Sequence, residues 1–434
     1  MRRALRVDEC GVRTDARIRG WNAFDRLLAI AAITAGSAIA LRAPGLGDYP
    51  FDAGPALSAI AHGQLAHFIS HQPAMGAVSL YARAPFVALA ALLHDSPVCI
   101  YRLGDLPCVL SVAFVSLWMA RIAGARGTGR AGRALIVAIC LANPLIGNAL
   151  RLGHPEELLT ASLAVGSLLA ACERRVVLTA VLAGLAVASK QWALLVVCPA
   201  LLVLERDRLR AGLLMAGVAL ASTLPMVIGS FGAFRHALEF LATPQSITTQ
   251  FNWLYPISPT GTVRVSFMFG GGTSLSGHTA AGVLSAVSHP LIIALGVLVP
   301  LIVWLAHGRR LAAKQMLIAT ALVFVLRCVF DPWSQAYYHL PLLLTLVALD
   351  VSAGRELPLA GLAGAAGAFV VLDRFPDYLG SQAANLAYIA TTVAAVAVLV
   401  RELRSSAPKG AARPFRPGGP HAIARTLKLA PRRR

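Results

Sequence analysis

Apolar residues recur along this chain in blocks of about twenty, the length of helix needed to cross the hydrocarbon layer of a bilayer. The blocks run 22–41, 77–93, 104–123, 133–150, 157–172, 176–190, 192–204, 209–230, 287–306, 312–330, 336–349, 357–373 and 382–400. An all-α polytopic membrane protein follows, with short or irregular connections outside the bilayer. The first block, Trp21 to Leu41, is too long for the core of a signal peptide, and further spans follow it.

Charge distribution orients these blocks. Arg2, Arg3, Arg6, Arg13, Arg17 and Arg19 precede the first, and arginines from Arg401 to Arg434 follow the last, so both ends are expected on the cytoplasmic side. An even number of crossings, about 12, is then required, and one candidate must fail to cross. Arg121, Arg126, Arg130 and Arg133, then Arg174 with Arg175, Arg206 to Arg210, and His307 to Arg310 all read as inside. Parity fails between residues 42 and 121, where 77–93, interrupted by Arg83 and Pro85, is expected to lie at the surface or re-enter. The stretch 176–204 is expected to form two short helices meeting outside at Lys190, because one straight span would bury the ammonium at a cost of about 2.5–3.5 kcal/mol. Three regions result: a basic N-terminus (1–21), a transmembrane domain (22–401) and a basic, disordered tail (402–434).

Composition agrees with this layout. Charged residues are 14 % and hydrophobic ones 57 %, against roughly a quarter charged in soluble domains. The net charge of +19 sits in flanks and short loops without aromatic interleaving, which excludes a nucleic-acid binder and makes anionic lipid the electrostatic partner. Seven cysteines are scattered without metal spacing and are read as packing residues.

Ionisable groups collect on the expected outer face. Asp48 and Asp52 follow the first span in Gly-Leu-Gly-Asp-Tyr-Pro-Phe-Asp; such acids can activate a hydroxyl, bind a divalent cation or cap a helix. His62, His67 and His71 follow and read as interfacial polar groups. His154, Glu156 and Glu157 stand between two helices, where the acids suit a helix N-terminus. Lys190 and Gln191, backed by Trp192, suit a phosphate or a snorkelling anchor. Arg327 is followed by Asp331, Trp333, Tyr337, Tyr338 and His339; Arg327 and Asp331, four apart, can pair, and the aromatics can form an interfacial belt. The long segment 231–286 carries Gln245, Gln250, Asn252, Trp253, Tyr255 and His278, side chains suited either to a sugar ring or to a lid.

Together, Gly47-Asp48-Tyr49, Asn143-Pro144 followed by Gly153-His154-Pro155-Glu156-Glu157, Ala186 to Trp192 with Pro199, and Tyr337-Tyr338-His339 make residues 20–400 resemble GT-C membrane glycosyltransferases. The likeness is strongest to bacterial polyprenyl-phosphate-mannose-dependent mannosyltransferases, although Ser79 to Pro85 departs from their simpler proline-rich second segment. The resemblance implies an inverting transfer of mannose or another pentose or hexose from a polyprenyl-phosphate donor to a cell-envelope glycolipid or glycan. Asp48, with Asp52 as the other candidate, would be the base. Lys190, Arg327 and His339 would meet the donor phosphate, and His154, Glu156, Glu157, Gln191, Trp253, Trp333, Tyr337 and Tyr338 would meet substrate. No cofactor is firmly implied, and a divalent cation at the first-loop acids stays open. A secondary transporter and a non-catalytic lipid or polymer assembly protein are the rival classes.

Overall fold

The computed structural model describes residues 21–406 except 74, 243–246, 267, 268, 270, 271 and 281; most of the basic N-terminus, the tail beyond 406 and Gln245 lie outside the described residues. The chain is largely α-helical. Helix α1 (Ala23–Leu41) starts on an Asn22–Asp25 capping box. Two short helices, α2 (Ala53–Ala61) and α3 (Leu65–Ser70), lead to α4 (Ala77–His94) and the long α5 (Pro97–Ala125). The block expected over 133–150 is divided into α6 (Arg130–Leu141) and α7 (Pro144–Arg151), because Asn143 caps α7 and Pro144 opens it. Helices α8 (Glu156–Cys172), α9 (Val176–Val187), α10 (Val197–Val203) and α11 (Arg208–Gly229) follow. Next come α12 (Phe231–Ala242) and an antiparallel hairpin of β1 (Thr260–Ser266) and β2 (Gly272–His278). The chain closes with α13 (Gly282–Ala306), α14 (Ala313–Phe330), α15 (Leu340–Ser352), α16 (Leu359–Gly367) and α17 (Phe375–Ser405).

Polar links between neighbouring segments define two ends of the bundle. At the basic end Arg133 pairs with Asp25, Arg126 donates to the Val351 carbonyl (2.9 Å), and Trp118 donates to Glu173 (3.3 Å). Arg174 pairs there with Glu205 (3.2 Å) and Lys314 with Glu402 (2.9 Å). At the other end Arg102 donates to the Ala43 carbonyl (3.1 Å), the Asp48 amide to Leu152 (3.0 Å), the Gly76 amide to Ser189 (2.9 Å) and the Thr249 amide to Pro332 (2.9 Å).

These links place several elements. Arg174 also donates to the Val203 carbonyl, so α9 and the stretch 191–203 run up and back with Lys190 at the far turn. Among the described residues, eight helical runs are long and apolar enough to cross a membrane, α4 among them. Yet α4 starts against Ser189 and ends in the 94–97 turn, a few residues before Arg102 meets Ala43. Both ends of α4 therefore lie at the non-basic end of the bundle, and the helix does not join the two ends. The run Leu359–Ser405 is folded back at Gly380, whose φ of +73° breaks α17: Gly361 bonds Asp350 (2.9 Å) and Glu402 bonds Lys314, both at the basic end.

Helix α8 is the axis of the core, buried almost throughout and packed on α5, α9, α10 and α15. Since lipid is as apolar as leucine, close packing must hold such helices together. Small residues permit it: a Cβ on Gly36 of α1 would meet Leu110 at 3.5 Å, and one on Gly184 of α9 would collide with α11 at 2.7 Å. Helices α1 and α11 expose most of their apolar surface on the outside of the bundle.

Candidate active site

Two turns zipped together at the non-basic end build the site. Gly47 (φ +47°) and Gly153 (φ +86°) face one another, and a Cβ on Gly47 would lie 2.2 Å from the Leu152 carbonyl carbon, one on Gly153 2.6 Å from the Leu46 oxygen. Only glycine permits both the left-handed backbone and the contact. The consequence is that Asp48 stands over His154, with its Oδ2 3.6 Å from the imidazole Nε2. The Asp48 side chain stays 57 % exposed.

Behind that pair, Glu156 and Glu157 open α8, where the helix dipole favours anions. Glu156 Oε1 meets His154 Nδ1 at 3.1 Å and Lys190 Nζ at 3.1 Å, while its Oε2 lies 4.0 Å from Arg83 Nη1. Glu157 accepts from the Trp192 indole (2.8 Å) and lies 3.6 Å from Lys190 and 4.0 Å from Arg327. Arg327 is held between the rings of Trp192 (4.5 Å) and Tyr338 (4.4 Å). Arg83 completes the series on Asp105 (3.3 Å), both fully buried. Charges thus alternate from Asp105 through Arg83, Glu156, Lys190 and Glu157 to Arg327, the arrangement that makes buried ions tolerable in a membrane protein.

His154 lies in the turn between α7 and α8. Burial works against its positive form, but the Asp48 and Glu156 carboxylates on its two nitrogens outweigh it and hold the pKa up at about 10. The imidazole is therefore a cation at neutral pH, and the exposed Asp48 carboxylate faces it. Lys190, bound to Glu156 on the far side of that imidazole, keeps 14 % of its side chain exposed and is a second cation that an incoming anion can reach.

The sequence-derived candidates divide. Asp48, Asp52, His154, Glu156, Glu157, Lys190, Arg327, Tyr337 and Tyr338 converge, with Tyr337 stacked on His154 at 5.4 Å. Gln191 is exposed beside Lys190. His339 is drawn away: its ring nitrogens engage the Ala336 carbonyl (3.1 Å) and the Tyr388 hydroxyl (3.2 Å). Trp253 packs edge-on to Phe330, outside the charged cluster, and Trp333 gives its backbone N–H to the Asp331 carboxylate. Arg327 reaches Glu157, and the Asp331 carboxylate accepts the Trp333 amide (3.1 Å) instead of pairing with it. Asn252 spends its amide on the carbonyls of Val329 and Asp331 and is a clamp. Two partners were not among the expected site residues: Arg83, read only as an interruption of 77–93, and Asp105; the available signal was ionisable residues inside two apolar blocks.

Asp52, His154 and Glu156 each present one ligand atom within 4.8 Å of the others, a set of two carboxylates and one imidazole that can hold a divalent cation. The first-loop acid on that set is Asp52. Binding there requires neutral His154 and the Glu156 oxygens now facing Lys190 and Arg83, so the cation and the ion-pair arrangement exclude one another.

A profile of glycosyltransferase family 87 matches residues 84–332, more than half of the chain, including Asp105, His154, Glu156, Glu157, Lys190 and Arg327 but not Asp48, Asp52 or Arg83. The chain belongs to glycosyltransferase family 87. This GT87 protein is accordingly a GT-C-fold, multi-pass membrane enzyme that transfers a sugar. Neither the curated proteins nor the solved structures contain a match to it.

Proposed function

We propose that this glycosyltransferase moves mannose or another pentose or hexose, with inversion, from a polyprenyl-phosphate carrier to a hydroxyl of a cell-envelope glycolipid or glycan. The observation that carries the reading is the juxtaposition of an exposed carboxylate, Asp48, with a cationic wall led by Lys190, at the end of the bundle remote from the basic loops. In one displacement Asp48 takes the acceptor O–H proton as that oxygen bonds to the anomeric carbon, while the bond from that carbon to the phosphate oxygen breaks. The departing lipid phosphate gains charge, which Lys190 and Arg327 oppose. His154, as imidazolium, orients the Asp48 carboxylate. His339 is left out of the phosphate set because Ala336 and Tyr388 occupy it.

The basic end is assigned to the cytoplasm and the site to the extracytoplasmic face of the plasma membrane. With α4 excluded, the chain passes between the two faces about 12 times, helices α6 with α7 and α16 with the first part of α17 each counting as one passage. A lipid donor can then reach the cluster laterally, and the basic terminal segments meet anionic lipid. The test is a transfer assay in nanodiscs, offering a radiolabelled polyprenyl-phosphate sugar or the matching nucleotide sugar. Transfer from the lipid donor with an inverted product anomer supports the reading; transfer from the nucleotide sugar alone rejects it.

A further inference from the structure

A cavity of about 250 Å³ opens beside the site, walled by α7, the segment around Gln250, the turn before Tyr337, and residues 368–377. Its polar lining is Asn148, Arg151, Gln250, Gln335, Asp373 and Asp377. Among the described residues, the side chains of Arg151, Gln250, Gln335 and Asp377 make no hydrogen bond or ion pair, although Gln250 and Gln335 are partly buried. The Asn148 amide oxygen takes the Tyr337 N–H (3.3 Å), leaving its NH₂ to the cavity. One wall is a π-helical stretch, Ala368–Arg374, whose wide turn lets the adjacent residues Leu372 and Asp373 both face the space. Such stretches are uncommon and recur at functional sites.

The cavity adjoins the reacting groups. Leu152 in its wall accepts the Asp48 amide, and Ala336 precedes Tyr337, which stacks on His154. We propose that it holds one uncharged, hydroxyl-rich ring of the acceptor and presents that acceptor to Asp48; this rests on the reading of Asp48 as the base. Amide groups supply both donors and acceptors for hydroxyls, and Phe251 and Leu372 supply apolar surface for the C–H face of a sugar. Asp373 is paired with Arg374 (3.2 Å), which leaves Asp377 and Arg151 to balance one another; a lining with no excess of positive charge does not select a phosphate, which separates this cavity from the Lys190 wall. Its volume is below the roughly 300 Å³ at which pockets for drug-sized ligands begin, the scale of a single ring.

Octyl glucoside, octyl mannoside and octyl galactoside are the probes, with octanol as the sugar-free control, and binding to the protein in nanodiscs is followed by saturation-transfer NMR. Ring protons of at least one glycoside should be saturated, and Gln250→Ala with Gln335→Ala together should weaken that binding by about tenfold or more, as expected for lost polar contacts. Asp377→Asn, at the exposed rim, should weaken it in the same direction and cannot disturb the core. Retained affinity for polyprenyl phosphate certifies the fold of each variant. No glycoside binding, or equal binding by wild type and variants, overturns the proposal. So does a loss confined to the polyprenyl-phosphate sugar, which would make the cavity a donor subsite. Full transfer by Asp48→Asn alongside weakened glycoside binding in the cavity variants would remove the base while keeping the ring site; the reverse pattern would remove the ring site alone.

Discussion

Arg83 shows how much a single buried ion depends on its partners. Replacing it with methionine leaves Asp105 and Glu156 facing one another without their shared cation. Arg83→Met should cost about 3–5 kcal/mol, and adding Asp105→Asn should recover part of it, because an unpaired buried charge is worse than none. Thermal unfolding in detergent of the two single variants and the double checks this; additive losses would deny the coupling. His154 carries a pH dependence of definite sign. Its pKa is raised from 6.5 to about 10, so its stabilisation is complete below pH 6.5, declines as pH rises, and is gone above about pH 10. The Tm difference between wild type and His154→Gln should shrink over that window, and a difference constant from pH 6 to 10 would contradict the imidazolium. At this scale the sequence was legible for Asp48, His154, Glu156, Glu157, Lys190 and Arg327, since each is an ionisable group beside or within an apolar run. It was not legible for Asp105, whose partner lies 22 residues earlier on another helix. Nor could local sequence tell that His339 turns to Ala336 and Tyr388, because neighbours in sequence share a cluster without sharing a direction.

At the scale of elements, the Gly47 and Gly153 turns decide where Asp48 stands. Gly47→Ala or Gly153→Ala should each cost about 1–3 kcal/mol of local strain and reduce transfer. Gly63 is the control: it also has positive φ (+70°), but a Cβ there meets nothing within 4 Å. Transfer activity equal in all three variants would show that the close approach of the two turns is irrelevant. Helix α4 keeps both ends at the non-basic end of the bundle, although its composition alone would have it cross. Its ends are fixed by the Gly76 amide on Ser189 and the turn into α5, contacts between segments that hydropathy cannot report. The reversal at Lys190 was legible because both flanking loops are basic. The π-helical wall at Ala368–Arg374 was not, since a mostly apolar run reads as ordinary helix.

For the whole molecule, the two ends differ in kind: one is stitched by Arg and Lys to short loops, the other gathers Asp48 with the His154, Glu156 and Glu157 cluster and the cavity. That asymmetry predicts sidedness. Cysteines introduced as Arg174→Cys and Thr260→Cys should react from opposite faces of intact cells, with Thr260→Cys labelled by an impermeant reagent; labelling of both from one face would overturn the assignment. The central claim is that an acid in the first loop at the non-basic end activates the acceptor for attack on a lipid-phosphate sugar. The most direct measurement is transfer from a polyprenyl-phosphate sugar in nanodiscs by wild type, Asp48→Asn and Asp52→Asn, with donor binding measured separately. Asp48→Asn should bind donor normally and lose about 10²–10⁴-fold in transfer, the range for a positioned base. Near-wild-type transfer by Asp48→Asn with an inactive Asp52→Asn would contradict Asp48 as the base, and full activity in both would contradict the mechanism.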